Sequence, residues 1–461
     1  MRYALVLTLV ATACGTDHLP VATLEDPNTC NECHPKHFAQ WSGSMHAYAS
    51  QDPVFVAMNK RGQQDTANQL GTFCLQCHAP MAVALGVVTN GTDFDPTTLP
   101  PEANGVTCYF CHNVASVVDT HNNGLQIALD QTMRGGLKSP IDSPAHASRY
   151  DPLMDSDTNN SEVCGSCHDI VTPKGVALER TYQEWQTTFF SQSDPTHHLT
   201  CGACHMRSST DVVADKPGLN VPERDHGFHE HMWPAIDQAL TDFPDLANQA
   251  ARVDEDLKGA IAIIGPAPAG SNTPTGGICV VPLNGGEITV RMDSILVAHA
   301  WPSGAAQDRR AWLELIAYDA SNQVVFQTGV VGDTQDPEDI TDTNLVSIWD
   351  KTFGDDGMPA HFFWDVASHD ASGLLRPPIT LDKNSPAFDH SITKQFVIGA
   401  LIQQIDHITA RVRIRALPFR LLRDLSLDAL GPKLRILDIE AATKTWEKAT
   451  AATHLGCNFP P

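Results

Sequence analysis

The sequence is poor in positive charge: 30 Lys and Arg residues stand against 54 Asp and Glu residues, a formal net charge of −24 over 461 residues. Nucleic acid and anionic lipid surfaces are themselves negative, so this balance argues against both as partners. A protein partner with a complementary basic face is favoured instead, because opposite charges steer the two molecules together during brief encounters.

Two further features are missing beyond the first residues of the chain. No later segment is an apolar run of the roughly 20 residues that a membrane-spanning helix needs. No sequence repeat of constant length is present either, which excludes a regular solenoid. The spacing argues instead for a chain of irregular loops in its first half, with an interior that something other than long apolar segments must fill.

The amino terminus resembles an export signal. Arg2 precedes the short apolar run 4–10, and Ala11-Thr12-Ala13 is a small-residue cleavage site. The sequence therefore predicts a signal peptide over residues 1–13 and an exported protein. Cys14 follows in the context A-T-A-C, which resembles a lipobox, so one alternative is a periplasmic, outer-membrane or cell-surface lipoprotein anchored through a lipid on Cys14. The other is a secreted product without a lipid.

Five short motifs in the first 205 residues carry the chemistry. Each has two cysteines three positions apart and a histidine directly after them, the C-x-x-C-H pattern of c-type haem attachment. The thiols form thioethers to one porphyrin, and the histidine binds the iron from one side. Random placement of 13 Cys and 21 His predicts about 0.02 such motifs. The predicted attachment cysteines are Cys30, Cys33, Cys74, Cys77, Cys108, Cys111, Cys164, Cys167, Cys201 and Cys204. The predicted proximal ligands are His34, His78, His112, His168 and His205.

Zinc and thiol redox chemistry explain these motifs less well. A structural zinc site joins two C-x-x-C pairs into one tetrahedron, and five pairs cannot be divided in this way. Zinc also gives no reason for a histidine after every second cysteine. A thioredoxin-like pair occurs once, beside a βαβ pattern that this sequence lacks. The sequence therefore predicts five covalently bound haems c as the cofactors.

Three of the 13 cysteines remain, namely Cys14, Cys279 and Cys457. If Cys14 carries a lipid, the other two form a natural disulfide in an oxidising compartment. That bond would join the end of the chain to the start of its β-rich part. The alternative is two free buried thiols.

Composition divides the chain into five parts. A tether over residues 14–28 leads into a haem-binding domain over 29–235, which we expect to be mostly helical and irregular. A helix-rich linker is predicted over 236–277, and a β-rich domain over 278–461. The fold class is therefore mixed: a multihaem domain followed by an antiparallel β-sandwich-like domain.

Period-two alternation predicts the strands of the second domain. The segments are 287–292, 312–318, 323–327, 396–405 and 409–417, with a hairpin turn at 319–322 and basic side chains facing outward on the last strand. Residues 434–450 are predicted to form a terminal helix.

Several of these stretches resemble the multihaem cytochrome c-554 family. They are 30–47, which contains Trp41-Ser-Gly-Ser-Met-His46, together with 73–80, 105–112 and 164–169. The resemblance covers residues 28–235 and implies a periplasmic electron carrier. The segments that begin at His229 and His299 also resemble histidine-containing stretches of related multihaem cytochromes.

The resemblance implies which histidines bind the irons from the second side. In the family pattern the histidine of W-x-x-S-x-H is such a distal ligand, and this position is His46. The full expected set is His46, His146, His229, His231 and His299. We hold His226 in reserve, give less weight to His121, His197 and His198, and expect His37 to be solvated.

Closely packed haems pass electrons to one another, so the predicted function is electron relay through mainly bis-histidine haems. The alternative is a multihaem reductase in which one open haem acts on a small nitrogen or sulfur compound. A third possibility is that the β-rich domain is a binding module. On this reading the chain is more readily a carrier than an enzyme.

Overall fold

The structure is a computed structural model that describes residues 18–459 except 142, 195, 268–276, 284, 295 and 452–453. Cys14 and the predicted signal peptide lie outside these residues. Among the described residues, no helix combines the length and the apolar character needed to cross a bilayer.

The helices are short and lie mainly in the first half, where the motif cysteines occupy single helical turns. In such a turn residues three apart lie on the same side, so both thiols can reach one porphyrin. Thr107 and Thr200 each precede a motif and cap its turn, with side-chain oxygens that accept from the N–H groups of Phe110 and Ala203. The helices are α1 (Val21–Leu24), α2 (Pro27–Asn31), α3 (Pro35–Ser42), α4 (Met45–Tyr48), α5 (Pro53–Asp65), α6 (Leu75–His78), α7 (Pro80–Ala84), α8 (Cys108–His112), α9 (Ser161–Gly165), α10 (Thr181–Gln186), α11 (Cys201–His205), α12 (Leu246–Leu257) and α13 (Phe419–Asp424).

Two-stranded ladders join the motif helices in the first half, and all but β3–β4 are antiparallel. These strands are β1 (Val114–Asp119), β2 (Gly124–Ile127), β3 (Thr132–Gly135), β4 (Ala147–Tyr150), β5 (Ile170–Val171), β6 (Ala177–Glu179), β7 (Ser208–Asp211) and β8 (Arg224–His229). The buried apolar groups here are small separate clusters rather than one core, as expected where porphyrins fill the interior.

The second half contains two larger antiparallel sheets that contribute to one hydrophobic core, and a two-stranded sheet formed by β15 and β16. In one of the larger sheets, β10 and β9 both pair with β11, which also pairs with β17; in the other the order is β13–β12–β18–β19, with β14 also paired to β12. The strands are β9 (Ile261–Ile264), β10 (Ile278–Val281), β11 (Glu287–Ser294), β12 (Arg310–Tyr318), β13 (Val324–Thr328), β14 (Val346–Ile348), β15 (Lys351–Phe353), β16 (Ser368–Asp370), β17 (Ser391–Val397), β18 (His407–Arg415) and β19 (Leu437–Glu447).

Most of the predicted strands are confirmed. The β12–β13 hairpin turns where the sequence predicts it. The outward-facing basic side chains predicted on β18 are confirmed only in part: Arg411 is partly exposed, whereas Arg415 is fully buried in an ion pair with Asp336. The mixed fold class is confirmed at this level, while the closed sandwich stays a prediction.

Three predicted segments are wrong in type or extent. Most of the terminal helix predicted at 434–450 is strand β19 (Leu437–Glu447), because this stretch pairs with β18 and buries Ile439 and Ala442 in the core. The strand predicted at 396–405 ends at Val397, and a 3₁₀ turn follows it. The predicted helical linker contains α12, but it also contains β9, which is part of the second-half sheet.

The disulfide between Cys279 and Cys457 is confirmed, with Cα atoms 5.9 Å apart. Cys279 is fully buried in β10, so the bond fastens the end of the chain to the core of the second half. The ten motif cysteines are not joined to one another by disulfides.

Candidate functional site: paired histidines around the five motifs

Four of the five motif histidines lie opposite a second histidine that belongs to no motif. The ring centroids of each pair are separated by nearly the same distance, and three of the pairs are close to parallel. The pairs are His34–His146 (6.4 Å, 26°), His112–His231 (6.2 Å, 17°), His205–His299 (6.5 Å, 15°) and His46–His168 (6.2 Å, 58°).

This separation fits one iron between two imidazoles. A bond between a metal and an imidazole nitrogen is about 2 Å, and the ring centroid lies about 1 Å beyond that nitrogen. Two ligands on opposite faces of one iron therefore have centroids about 6 Å apart, close to the four observed values. Directly stacked rings would be closer, as Phe55 and His78 are at 4.1 Å.

The second nitrogen of most of these rings is held by the backbone. The Nδ1 atoms of His34 and His112 lie 2.7 Å from the carbonyl oxygens of Val213 and Arg134, and Nδ1 of His205 lies 3.0 Å from that of Pro234. A proton on Nδ1 donates to each carbonyl, which leaves Nε2 free to bind iron and fixes the ring plane.

The same holds for three of the opposite rings. Nδ1 of His231 and of His299 each lies 2.8 Å from a neighbouring carbonyl oxygen, those of His229 and Ala300, while His146 contacts Ala147 at 3.2 Å. A carbonyl partner at Nδ1 is the usual arrangement of a metal-binding histidine. The residues at these sites therefore fit c-type haem.

Burial favours the neutral form of two of the rings opposite the motif histidines. It lowers the pKa of His46 to about 3, with His168 and His231 adding to the effect. It also lowers the pKa of His299 to about 4, partly offset by the contact with the Ala300 carbonyl. A neutral imidazole is the form that binds a metal.

His78 is the exception among the motif histidines. All 21 histidines lie in the described part of the chain, and none of the others faces His78 at the separation of the four pairs. Its ring instead lies against Phe55, at 4.1 Å and 5°, and its Nδ1 is 3.3 Å from the carbonyl oxygen of Ala49. Phe94 packs against Phe55, so this motif has apolar surroundings.

His229 does not face a motif histidine in the described structure, although it is only two residues from His231. Its Nδ1 lies 3.2 Å from the carbonyl oxygen of Met206, at the end of the β7–β8 ladder. The reserve residue His226 is exposed beside Asp225. His121 pairs with Asp119, His197 with Asp194, and His198 contacts two backbone carbonyls.

Two aromatic side chains that were not expected at these sites, His37 and Trp233, lie between the pairs. The His37 ring packs on Phe228 at 4.2 Å and meets His231 edge-on at 4.7 Å, so the prediction that His37 is solvated is wrong. Trp233 lies 4.6 Å from His46 and 5.0 Å from His231. Sequence spacing gives no signal for Trp233, because the contact depends on how the 229–234 segment folds back over α4.

Thiols of different motifs affect one another's pKa. Cys30 raises the pKa of Cys108, and Cys201 raises that of Cys164. Cys77 likewise raises the pKa of Cys167. Because such effects act over short distances, they indicate that the first attachment site lies near the third, the second near the fourth, and the fourth near the fifth.

The chain is similar to known multihaem cytochromes in sequence and in fold. Residues 29–113, which contain the first three motifs, match the family model described as cytochrome c554 and c-prime. The chain is also similar to a solved structure, a penta-heme cytochrome c552 from Thermochromatium tepidum, at 18% identity and a TM-score of 0.60 over 93% of this chain and 100% of that one. No curated protein matches the chain. The family resemblance inferred from the motifs is therefore confirmed over residues 29–113, and the structural likeness shows a shared fold over nearly the whole chain.

Proposed function

We propose that this multihaem c-type cytochrome is an exported electron carrier that binds five haems c and passes electrons between redox proteins. One observation carries the proposal: four motif histidines each lie opposite a second histidine at the separation that a shared iron requires. Two imidazoles leave an iron no position for a substrate, and they avoid the higher potential that a methionine ligand gives. Haem bound in this way supplies a one-electron couple.

The pairs support the following proposal for the distal ligands. His146 serves the first site, His231 the third, His46 the fourth and His299 the fifth. His46 and His231 come from segments that fold back over motifs distant in sequence, and His299 comes from the second half of the chain. In this assignment His229 is not a ligand.

The proximity of motif cysteines supports an order of sites. The first and third sites are neighbours through Cys30 and Cys108, and the fourth and fifth through Cys164 and Cys201. Trp233 lies between the distal ligands of the third and fourth sites and links the two halves of the row. The second site joins the row at the fourth, through Cys77 and Cys167. Electrons therefore have a continuous row of four sites with the second as a branch.

Export and partner type follow from the sequence. The amino-terminal signal and the presence of c-type motifs support a periplasmic or surface location, with a lipid on Cys14 as one form of attachment. The net charge of −24 supports a redox partner with a basic face.

One observation favours a second function, a reductase for a small nitrogen or sulfur compound. His78 has no histidine opposite it in the described structure, and apolar side chains surround its motif. An iron bound there through His78 alone would keep one position open, as catalytic haems do. The β-rich domain as a separate binding module has no such observation in its favour.

The spin state of each iron tests the carrier proposal. We expect the purified holoprotein to contain five haems by intact mass, with low-spin signals from four ferric irons and a high-spin signal from one. Fewer than five haems, or high-spin signals from most irons, would contradict it. If nitrite or hydroxylamine oxidises the protein repeatedly while a reductant re-reduces it, the result would favour the reductase instead.

A further inference from the structure

The short helix α10 lies between the fourth motif and the segment that carries His299. The helix belongs to the first half of the chain, and residues 299–304 belong to the second. Contacts on both sides of α10 therefore decide how a histidine from the second half is held over a haem site in the first half.

One side of α10 is fixed to the fourth motif. The backbone N–H of Tyr182 donates to the carbonyl oxygen of His168 at 3.3 Å, and that of Gln183 donates to Asp169 at 3.2 Å. The Tyr182 ring is buried against Gly165, where a Cβ atom would come within 2.4 Å of the ring. Because any side chain at position 165 would displace Tyr182, the helix has one position relative to this motif.

The other side of α10 holds the 299–304 segment through two side chains. Glu184 Oε2 accepts from the backbone N–H of Ala300 at 3.0 Å and from the hydroxyl of Ser303 at 2.7 Å. The hydroxyl of Thr181 accepts from the backbone N–H of Gly304 at 3.0 Å and lies 2.8 Å from the Ser303 hydroxyl.

These bonds act on the imidazole through Ala300. The N–H of Ala300 is held by Glu184, and its carbonyl oxygen accepts from Nδ1 of His299 at 2.8 Å. The same segment is tied to the second half only one residue further on, where Trp301 and Leu375 exchange backbone hydrogen bonds at 2.9 and 3.0 Å. Glu184 and Thr181 thus provide the hydrogen bonds that fix the 299–304 segment to the first half.

We propose that Glu184 and Thr181 are positioning residues that keep His299 on the iron of the fifth site, across the junction between the two halves of the chain. The inference rests on the assignment of His299 made under the proposed function. Outer contacts of this kind orient metal ligands, and their loss weakens the bond between ligand and metal.

The test compares the spin state of variants in the holoprotein. Glu184→Ala removes both acceptor contacts, and Thr181→Val removes the hydroxyl at nearly constant shape. Glu184→Gln keeps one acceptor oxygen for Ala300, and Gln183→Ala is the control, because Gln183 uses only its backbone in the contacts of α10. Haem content and circular dichroism establish that each variant is folded.

We expect Glu184→Ala to roughly double the high-spin ferric signal and the carbon monoxide bound by the reduced protein, because a second iron opens. Thr181→Val gives a smaller rise, and Glu184→Gln and Gln183→Ala stay near the native values. His299→Ala is the reference for a fully open fifth site.

The outcomes separate this proposal from the one on which it rests. If His299→Ala opens a second iron while Glu184→Ala and Thr181→Val leave the signal unchanged, the positioning role is overturned and the ligand assignment stands. If His299→Ala opens none, the ligand assignment itself fails and the positioning role fails with it.

Discussion

His229 and His231 show that a small shift along the chain determines whether a histidine lies opposite a motif histidine. The two residues are separated by one amino acid, both carry a backbone carbonyl at Nδ1, and sequence alone treats them alike. Only His231 lies opposite a motif histidine, 6.2 Å from His112. A β-ladder holds His229, whereas the chain turns directly after it and directs the next histidine inward.

This difference predicts a matched pair of variants. His231→Ala is expected to open the iron of the third site, because His112 would then be its only side-chain ligand; the high-spin signal rises and carbon monoxide binds there on reduction. His229→Ala keeps the native low-spin spectrum. Electron paramagnetic resonance of both variants checks this, and an open iron in the His229 variant would reverse the assignment.

Glu179 is an acidic side chain in the interior between the two halves, where it contacts Gln307. Burial raises its pKa to about 7; a contact with Gln307 and the charge of Arg309 oppose the rise, and Asp308 and Asp237 add to it. Its ordinary value is 4.5, so between pH 4.5 and 7 the folded protein retains a proton that the unfolded chain has released. The stability contributed by this proton therefore falls as the pH rises through that window.

Glu179→Gln removes this dependence, because an amide does not titrate. We expect the variant to be more stable than the native protein at pH 8, by on the order of 1–3 kcal/mol, and to show a smaller difference at pH 5. Thermal unfolding followed by circular dichroism at the two pH values measures it. The exposed Glu223→Gln variant is the control, and equal pH dependence in both variants would refute the prediction.

Sequence pattern predicts those helices and strands whose structure is determined by their own residues. The alternation in β11, β12, β13 and β18 predicts those strands, because each of them buries one set of side chains in the second-half core. Likewise the motif turns need only their own cysteines and histidine. The attachment cysteines and the proximal histidine of each site can therefore be predicted from the sequence alone.

Elements that depend on distant partners were harder to predict. Strand β19 contains Glu440, Ala441, Ala442 and Lys444, which favour helix, and pairing with β18 overrides that preference. The proposed distal ligands depend on distant partners in the same way. His299 follows β11 in sequence, yet its ring lies opposite that of His205, about 90 residues earlier, and no local sequence pattern predicts this approach. Only the family resemblance pointed to it.

The disulfide between Cys279 and Cys457 joins positions 178 residues apart and carries the next prediction. Closing so long a loop restricts the unfolded chain, so replacing both cysteines by serine is expected to lower the free energy of unfolding by about 2–5 kcal/mol. Mild reductant should have the same effect on the native protein, since thioethers to haem do not exchange with thiols. Denaturant unfolding with and without reductant measures the loss, and identical midpoints would contradict it.

The whole molecule joins two kinds of interior. The first half has small apolar clusters around its motifs, whereas the second half has a continuous core to which both sheets contribute. His299 and the 299–304 segment connect them, and so does an apolar cluster that joins Val54 and Leu70 to Trp364 and Leu421. Under the proposed assignment, one ligand of the fifth site is positioned by a domain that carries no motif. We infer that the β-rich half stabilises the end of the row of sites, a role that does not require a separate ligand for that half.

Charge at this scale governs the encounter with a partner. The protein carries a net charge of −24, and electrostatic steering acts over about 10 Å at 0.1 M salt. We therefore expect the rate of electron exchange with a basic cytochrome c to fall several-fold when the salt concentration is raised from about 10 mM to about 500 mM, because the attraction is screened.

The matched control is an acidic cytochrome c of similar potential, whose exchange rate should rise with salt as the repulsion is screened. Stopped-flow absorbance follows both reactions. Opposite slopes would show that charge selects the partner, since the haems and their driving force are the same in the two experiments. If the rate is independent of salt with both partners, electrons leave through a surface where the excess negative charge does not attract or repel the partner. That result would contradict the proposal of a basic partner.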